Sequence, residues 1–321
     1  MSRESVRAAV RTRVLPAART RQVASGPVGQ KMTLPRQLAL QLLFLFVTFT
    51  VLFPILWVVS LSLDPRNLSR PTSLQLIPPG ASLNAYLQVI KQPTPNPVTF
   101  PELARNSFLL AAGTSFASVL IGVFAAYAFS RFKFPARQAL MLAIVAVLML
   151  PSVASLAPLF VMLNKVVIDI GGTPFNLRNS LLGVGLAMTS GMLPFAIWNL
   201  KGYVDTIPKE LEEAATIDGA TANQTFFRIM LPLAVPALAV TAFLGFLAGW
   251  TEFYLSWQFL TDPKTFTLAM ALYNMTGQYA DNTPWSLFSA MAIMIALPVS
   301  VVYLSLQKYI VGGLTVGGVK G

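Results

Sequence analysis

Charged residues fence off six long charge-free runs in this 321-residue chain: 37–63, 106–130, 138–164, 179–200, 229–251 and 282–307. Each exceeds the roughly 20 residues that an α-helix needs to cross about 30 Å of hydrocarbon. No other feature restricts the fold so strongly, because lipid offers the backbone no hydrogen-bond partner and admits only helices and closed barrels. The expected fold is therefore all-α, a polytopic membrane protein with six transmembrane helices. Composition agrees: 55% of residues are hydrophobic and only 11% charged, far from a soluble domain. Another charge-free run, Pro71 to Ile90, contains Pro71, Pro78, Pro79 and Gly80 and reads as loop. Residues 265–280 are too few for a span and read as an external amphipathic segment. Pro54, Pro151, Pro158, Pro194 and Pro298 inside the runs predict kinks or broken helices, which suit protein-facing or water-lined positions. Gly245 and Gly249 predict close helix packing, either within the chain or onto a partner.

Basic residues set the expected orientation. Arg3, Arg7, Arg11, Arg13, Arg19, Arg21, Lys31 and Arg36 precede the first run, and Arg131, Lys133 and Arg137 follow the second. With Lys201, Lys209, Arg228, Lys308 and Lys320, sixteen of the 23 basic residues fall on one face, which the positive-inside rule makes cytoplasmic. Both termini then lie inside. Residues 1–37 read as a disordered basic tail, with a transit peptide or an over-extended start before Met32 as alternatives. Residues 38–308 form the membrane domain and 309–321 a Gly-rich cytoplasmic tail. The net charge of +11 reflects orientation, so no nucleic-acid partner is expected, while membrane lipid is.

The chain has no Cys and no His, which excludes thiolate chemistry, His general bases and the common zinc sites. No Gly-x4-Gly-Lys-Ser/Thr cradle occurs, so no cofactor is expected in this chain and nucleotide must be bound elsewhere. Secondary carriers need buried acids. The acid nearest a span's interior here is Glu252, read as an outer-boundary residue with an ion-site or a solvated or helix-capping role. A proton-coupled carrier is thus the rival from another class.

Five of the twelve acids lie in the one long polar stretch of the second half, residues 201–231. Pro208 suits a first helical turn, and Glu210, Glu212 and Glu213 suit its positive end. Gly219 fits a C′ position with φ > 0. Thr221 and Gln224 have capping-box spacing for a second helix to about 231, with Phe226, Phe227, Ile229 and Met230 at helical spacing. Pro232 and Pro236 end or kink it. Two short helices meeting at a glycine elbow are predicted.

The sequence Glu213-Ala214-Ala215-(x3)-Gly219-(x9)-Ile229-x-Leu231-Pro232 resembles the cytoplasmic "EAA" loop of permease subunits in binding-protein-dependent ABC importers. The likeness runs from about residue 38 to the C-terminus. Trp250-Thr251-Glu252-Phe253 and the ending Gly313-Leu314-Thr315-Val316-Gly317-Gly318-Val319-Lys320-Gly321 look most like the maltose/maltodextrin type, of the MalG kind. The resemblance implies a type I importer permease in a prokaryotic inner membrane. Its implied partners are a homologous second permease subunit, two copies of a cytoplasmic ATPase carrying ATP and Mg, and an extracytoplasmic sugar-binding protein. The implied ATPase-docking residues are Glu213, Ala214, Ala215, Asp218, Gly219, Phe226, Ile229, Leu231 and Pro232. Trehalose or another oligosaccharide is the alternative substrate. In the outer loop, Tyr273, Asn274, Gln278, Tyr279 and Trp285 suit contact with sugar or binding protein, or else an interfacial aromatic belt.

Overall fold

The computed structural model describes residues 33–67, 75–276 and 283–318. Contacts divide the chain after Phe53, inside helix α1 (Leu34–Ser62). In the first unit the start of α1 exposes Leu42, Phe44 and Phe46, as a lipid-facing helix does. The second unit contains α2 (Asn84–Lys91), α3 (Phe100–Arg131), α4 (Arg137–Val147), α5 (Leu156–Lys165), α6 (Leu181–Val204), α7 (Glu210–Ile217), α8 (Ala222–Thr225), α9 (Leu231–Leu233), α10 (Val235–Trp250), α11 (Tyr254–Phe259), α12 (Leu268–Asn274) and α13 (Trp285–Gly318).

All six charge-free runs are largely helical, but among the described residues only four make single membrane-length helices: α1, α3, α6 and α13. The fifth, 229–251, lies largely in two helices, Ala222–Leu233 and Val235–Trp250, that bend by 71° where they meet, and there Pro232 and Pro236 each withhold a backbone N–H. The third run is divided at Pro151 into α4, a 3-10 turn over Ser152–Ser155, and α5, so it contains no continuous span. The Pro71–Ile90 reading also needs correction. Its prolines stop before Asn84, and residues 84–91 form a short helix that buries Val89. Within this mostly helical fold lies one short two-stranded antiparallel hairpin among the described residues: β1 (Val167–Ile170) pairs with β2 (Thr173–Asn176) in the register Val167↔Asn176.

α3 is the centre of the packing. Its buried face carries Ala111, Ser115, Ser118, Gly122 and Ala126 at helical spacing, small residues that let neighbouring backbones approach. α6 comes so close that a Cβ on Gly122 would lie 3.1 Å from the Ala196 side chain. From the other side, Gly245 meets Ser115, and a Cβ on Gly249 would sit 2.5 Å from the Ala111 Cα. The Gly-x3-Gly pattern therefore packs within the chain. Ser115 also donates to the Ala242 carbonyl at 2.7 Å, and the Trp250 indole donates to the Ile295 carbonyl of α13 at 3.1 Å.

Candidate functional site

The acidic stretch after α6 folds as two short helices around a glycine. α7 begins at Glu210, two residues later than Pro208 suggests, and Glu210, Glu212 and Glu213 occupy its first turn. It ends in a Schellman motif: Ala220 N–H reaches the Ala215 carbonyl at 2.9 Å and Gly219 N–H the Thr216 carbonyl at 3.1 Å. That closure requires a left-handed residue, and Gly219 has φ +86. The capping box follows as the sequence predicts. Thr221 N–H donates to Gln224 Oε1 at 2.8 Å, and Gln224 N–H to Thr221 Oγ1 at 3.3 Å. After α8 the helix widens into a π turn over Phe226–Met230, a form that often marks functional sites.

The sequence-nominated residues come together here and separate into two faces. Glu213, Ala214, Asp218, Gly219 and Pro232 are exposed; Ile229 and Leu231 are partly buried; Ala215 and Phe226 point inward. Phe226 stacks on Phe124 of α3 at 5.2 Å and meets Tyr127 edge-on at 4.9 Å. The exposed face also carries an apolar component: Phe227, at the helical spacing read from the sequence, is 54% exposed, and Ile217, which the spacing did not single out, is 86% exposed. Acidic Glu213 and Asp218 thus share the exposed face with projecting apolar side chains.

A polar anchor beneath this surface escaped the sequence reading. Arg131, the last residue of α3, places Nε 2.6 Å from Glu212 Oε1, with both side chains largely buried. Its Nη2 donates to the Ile207 carbonyl at 2.9 Å, and Tyr127 Oη donates to Glu212 Oε2 at 3.1 Å. Ser130 donates to Asp205 Oδ1 at 2.5 Å, and Lys201 pairs with Asp205 Oδ2 at 2.5 Å. Burial alone would raise the Asp205 pKa, but the bonds from Lys201 and Ser130 and the charges of Lys201 and Arg131 hold it below the ordinary 3.8. Adjacent acids thus differ: Glu212 faces the bundle and Glu213 faces away. The partners of Arg131 are about eighty residues distant in sequence, and no local pattern points to them.

At the opposite end of α3, the chain after α10 turns back over the bundle. Glu252 has the helix-capping role rather than a solvated one. It is buried, accepting from Leu255 N–H at 2.6 Å, from Ser256 N–H at 2.9 Å and from the Ser256 hydroxyl, which caps α11. Tyr273 is exposed and rests against Phe253 and Trp257. Asn274 lines a cavity of about 860 Å³ together with Gln88 and Lys91. Trp285 is half-buried, packed edge-on against Phe288, and its indole N–H has no partner among the described residues. Gln278 and Tyr279 lie outside the described residues.

α6 and α10 pack against α3, and an exposed acidic helix pair lies at one end of this helical bundle. Residues 118–316 match the family described as "Binding-protein-dependent transport system inner membrane component", and the chain belongs to that family. As such it is a transport component and not an enzyme. It is 37% identical over 292 residues to the maltose/maltodextrin transport system permease protein MalG of Escherichia coli (strain K12), covering 87% of this chain and 94% of that protein. It is 33% identical over 280 residues to the galactooligosaccharides transport system permease protein GanQ of Bacillus subtilis (strain 168), covering 87% and 94%. A crystal structure of a bacterial ABC transporter that imports the acidic polysaccharide alginate aligns with a TM-score of 0.71 at 20% identity, over 88% of this chain and all of that one. That last likeness carries the fold, a type I importer permease.

Proposed function

We propose that this chain is one permease subunit of an ATP-driven importer of maltose or maltodextrin, and that the α7–α9 elbow is its ATPase-docking site. The observation that carries the proposal is the division of labour at the elbow. Ala215, Phe226 and Glu212 fix the helix pair to α3, while Glu213, Asp218 and Ile217 face outward. The assembly contains a homologous second permease, two cytoplasmic ATPase copies that carry ATP and Mg, and an external sugar-binding protein. Residues 201–231 and both termini face the cytoplasm, consistent with the sixteen basic residues on that face. Residues 1–37 and 309–321 are cytoplasmic segments flanking the transport domain. The relatives named above favour an oligosaccharide substrate. Nucleotide binding on the partner powers closure, and the elbow transmits it to the bundle.

The chain should co-purify with an ATPase, and proteoliposomes should take up maltose only with ATP and the binding protein. Uptake without ATP, driven by a proton gradient, would overturn the reading. Binding of maltodextrins, trehalose and galactooligosaccharides to the cognate binding protein assigns the sugar.

A further inference from the structure

We propose that α3 is a connecting rod through the membrane, tying the ATPase-docking elbow to the outer segment 264–268, with Arg131 and Asn106 as positioning residues at its two ends. The proposal rests on the docking role given to the elbow above. Among the membrane-length helices, α1, α6 and α13 hold an interior proline, and the two remaining runs are broken. α3 has its one proline in the first turn, ahead of the ladder a proline would interrupt. From Ser107 to Arg131 it runs unbroken for roughly 36 Å at about 1.5 Å per residue.

Both ends are gripped by buried polar groups. At one end Arg131 holds the Glu212 carboxylate and the Ile207 carbonyl, on either side of the start of α7. At the other, Asn106 is 3% exposed and gives both amide hydrogens to backbone carbonyls, Lys264 at 2.7 Å and Phe266 at 3.0 Å. Ser107 Oγ accepts from Leu268 N–H at 2.8 Å. The segment held there leads straight into α12 and the exposed Tyr273.

Neither grip can slip cheaply, because releasing it leaves charged or amide groups buried and unpaired. A displacement of α7 is therefore passed to α3, and the far end of α3 carries segment 264–268 with it. Linkage makes the effect reciprocal: a partner that repositions the outer segment must change the energetics at the elbow. α10 cannot substitute, since it is bent at one end and ends at the Glu252 cap at the other.

The test uses the whole transporter in proteoliposomes, with maltose as the sugar and with membrane insertion and ATPase recovery measured beside hydrolysis. Asn106→Ala should retain the ATPase and its basal hydrolysis, while stimulation by sugar-loaded binding protein falls about fivefold or more, the range of ordinary coupling energies. Should Asn106→Ala fail to insert, Ser107→Ala supplies the same readout. Arg131→Gln should lower stimulation likewise, and the Asn106→Ala/Arg131→Gln double variant should be no worse than the poorer single one, as for two points on one linkage. A merely structural role predicts additive losses. Full stimulation in the inserted Asn106 or Ser107 variant, or additive losses in the double variant, overturns the rod. A wild-type complex that recovers no ATPase refutes the docking reading itself, and the rod with it.

Discussion

Gly219 and Glu213 are six residues apart and fail in different ways. A Cβ on Gly219 would meet nothing within 4 Å, so the space is free and the obstacle is φ +86 alone. Gly219→Val forces a β-branched residue into the left-handed region at a cost of about 1 to 2 kcal/mol. The Schellman closure should open, and ATPase recovery and uptake should both fall while insertion stays normal. Glu213→Ala removes an exposed charge with no backbone strain, so coupling should weaken with the elbow intact. Normal ATPase recovery with normal uptake for Gly219→Val would refute the elbow's role. Asp205 gives a pH-dependent counterpart. Its folded pKa lies below 3.8, so its contribution to stability is fully present above about pH 4 and is lost as pH falls through the depressed value. The melting-temperature gap between wild type and Asp205→Asn should therefore be constant from pH 7 to about pH 4 and shrink below it. Because the Asp205 side chain is 42% exposed, the gap should also narrow with added salt.

Among the elements, those legible in the sequence are the ones whose determinants are local. The Thr221–Gln224 box, the Gly219 C′ position and the kink near Pro232 each depend on residues within a few positions of one another. α2 was obscured because the prolines at its N-terminal side dominate the reading of the run, although Asn84–Lys91 itself contains none. The hairpin 167–176 turns on Gly171 and Gly172, both with φ > 0, and this Gly-Gly pair after a Val/Ile run is a local hairpin signal that a reading by charge-free runs passes over. The Arg131–Glu212 pair joins residues that only the tertiary fold brings together, and charge counting assigned Arg131 to orientation alone. The α3–α10 contact combines both kinds of information: Gly245 and Gly249 announce close packing, but the partner helix emerges only from the fold. Gly249→Leu should drive α10 off α3, since even its Cβ would lie 2.5 Å from the Ala111 Cα. Overpacking of this kind costs about 1 to 3 kcal/mol. A thermal melt of the purified protein should shift downward, and an unchanged melt would place the α3–α10 contact elsewhere.

At the scale of the whole molecule, the helix count alone does not settle sidedness. Four continuous spans, a bent fifth and a run divided at Pro151 permit both termini on one side only if the divided run also crosses. The orientation proposed above needs it to cross, because Arg131 and Lys133 precede α4, Arg137 opens it, and the motif loop with Lys201 and Lys209 lies beyond α6. A crossing that stopped at Pro151 and turned back would place these two basic groups on opposite faces. Yet Arg131 and Glu212 are bonded to each other, so the end of α3 and the start of α7 share one face. On the proposed orientation α6 crosses to reach it, and the segment from α4 to α5 crosses in the opposite sense. The absence of native cysteine makes this testable by single substitutions. Thr221 and Thr276 are both exposed, and they are separated by α10, one crossing. Thr276→Cys should react with a membrane-impermeant maleimide in intact cells, and Thr221→Cys only after permeabilisation. Labelling of Thr221→Cys in sealed cells would invert the orientation and move the acidic helix pair out of reach of any cytoplasmic ATPase.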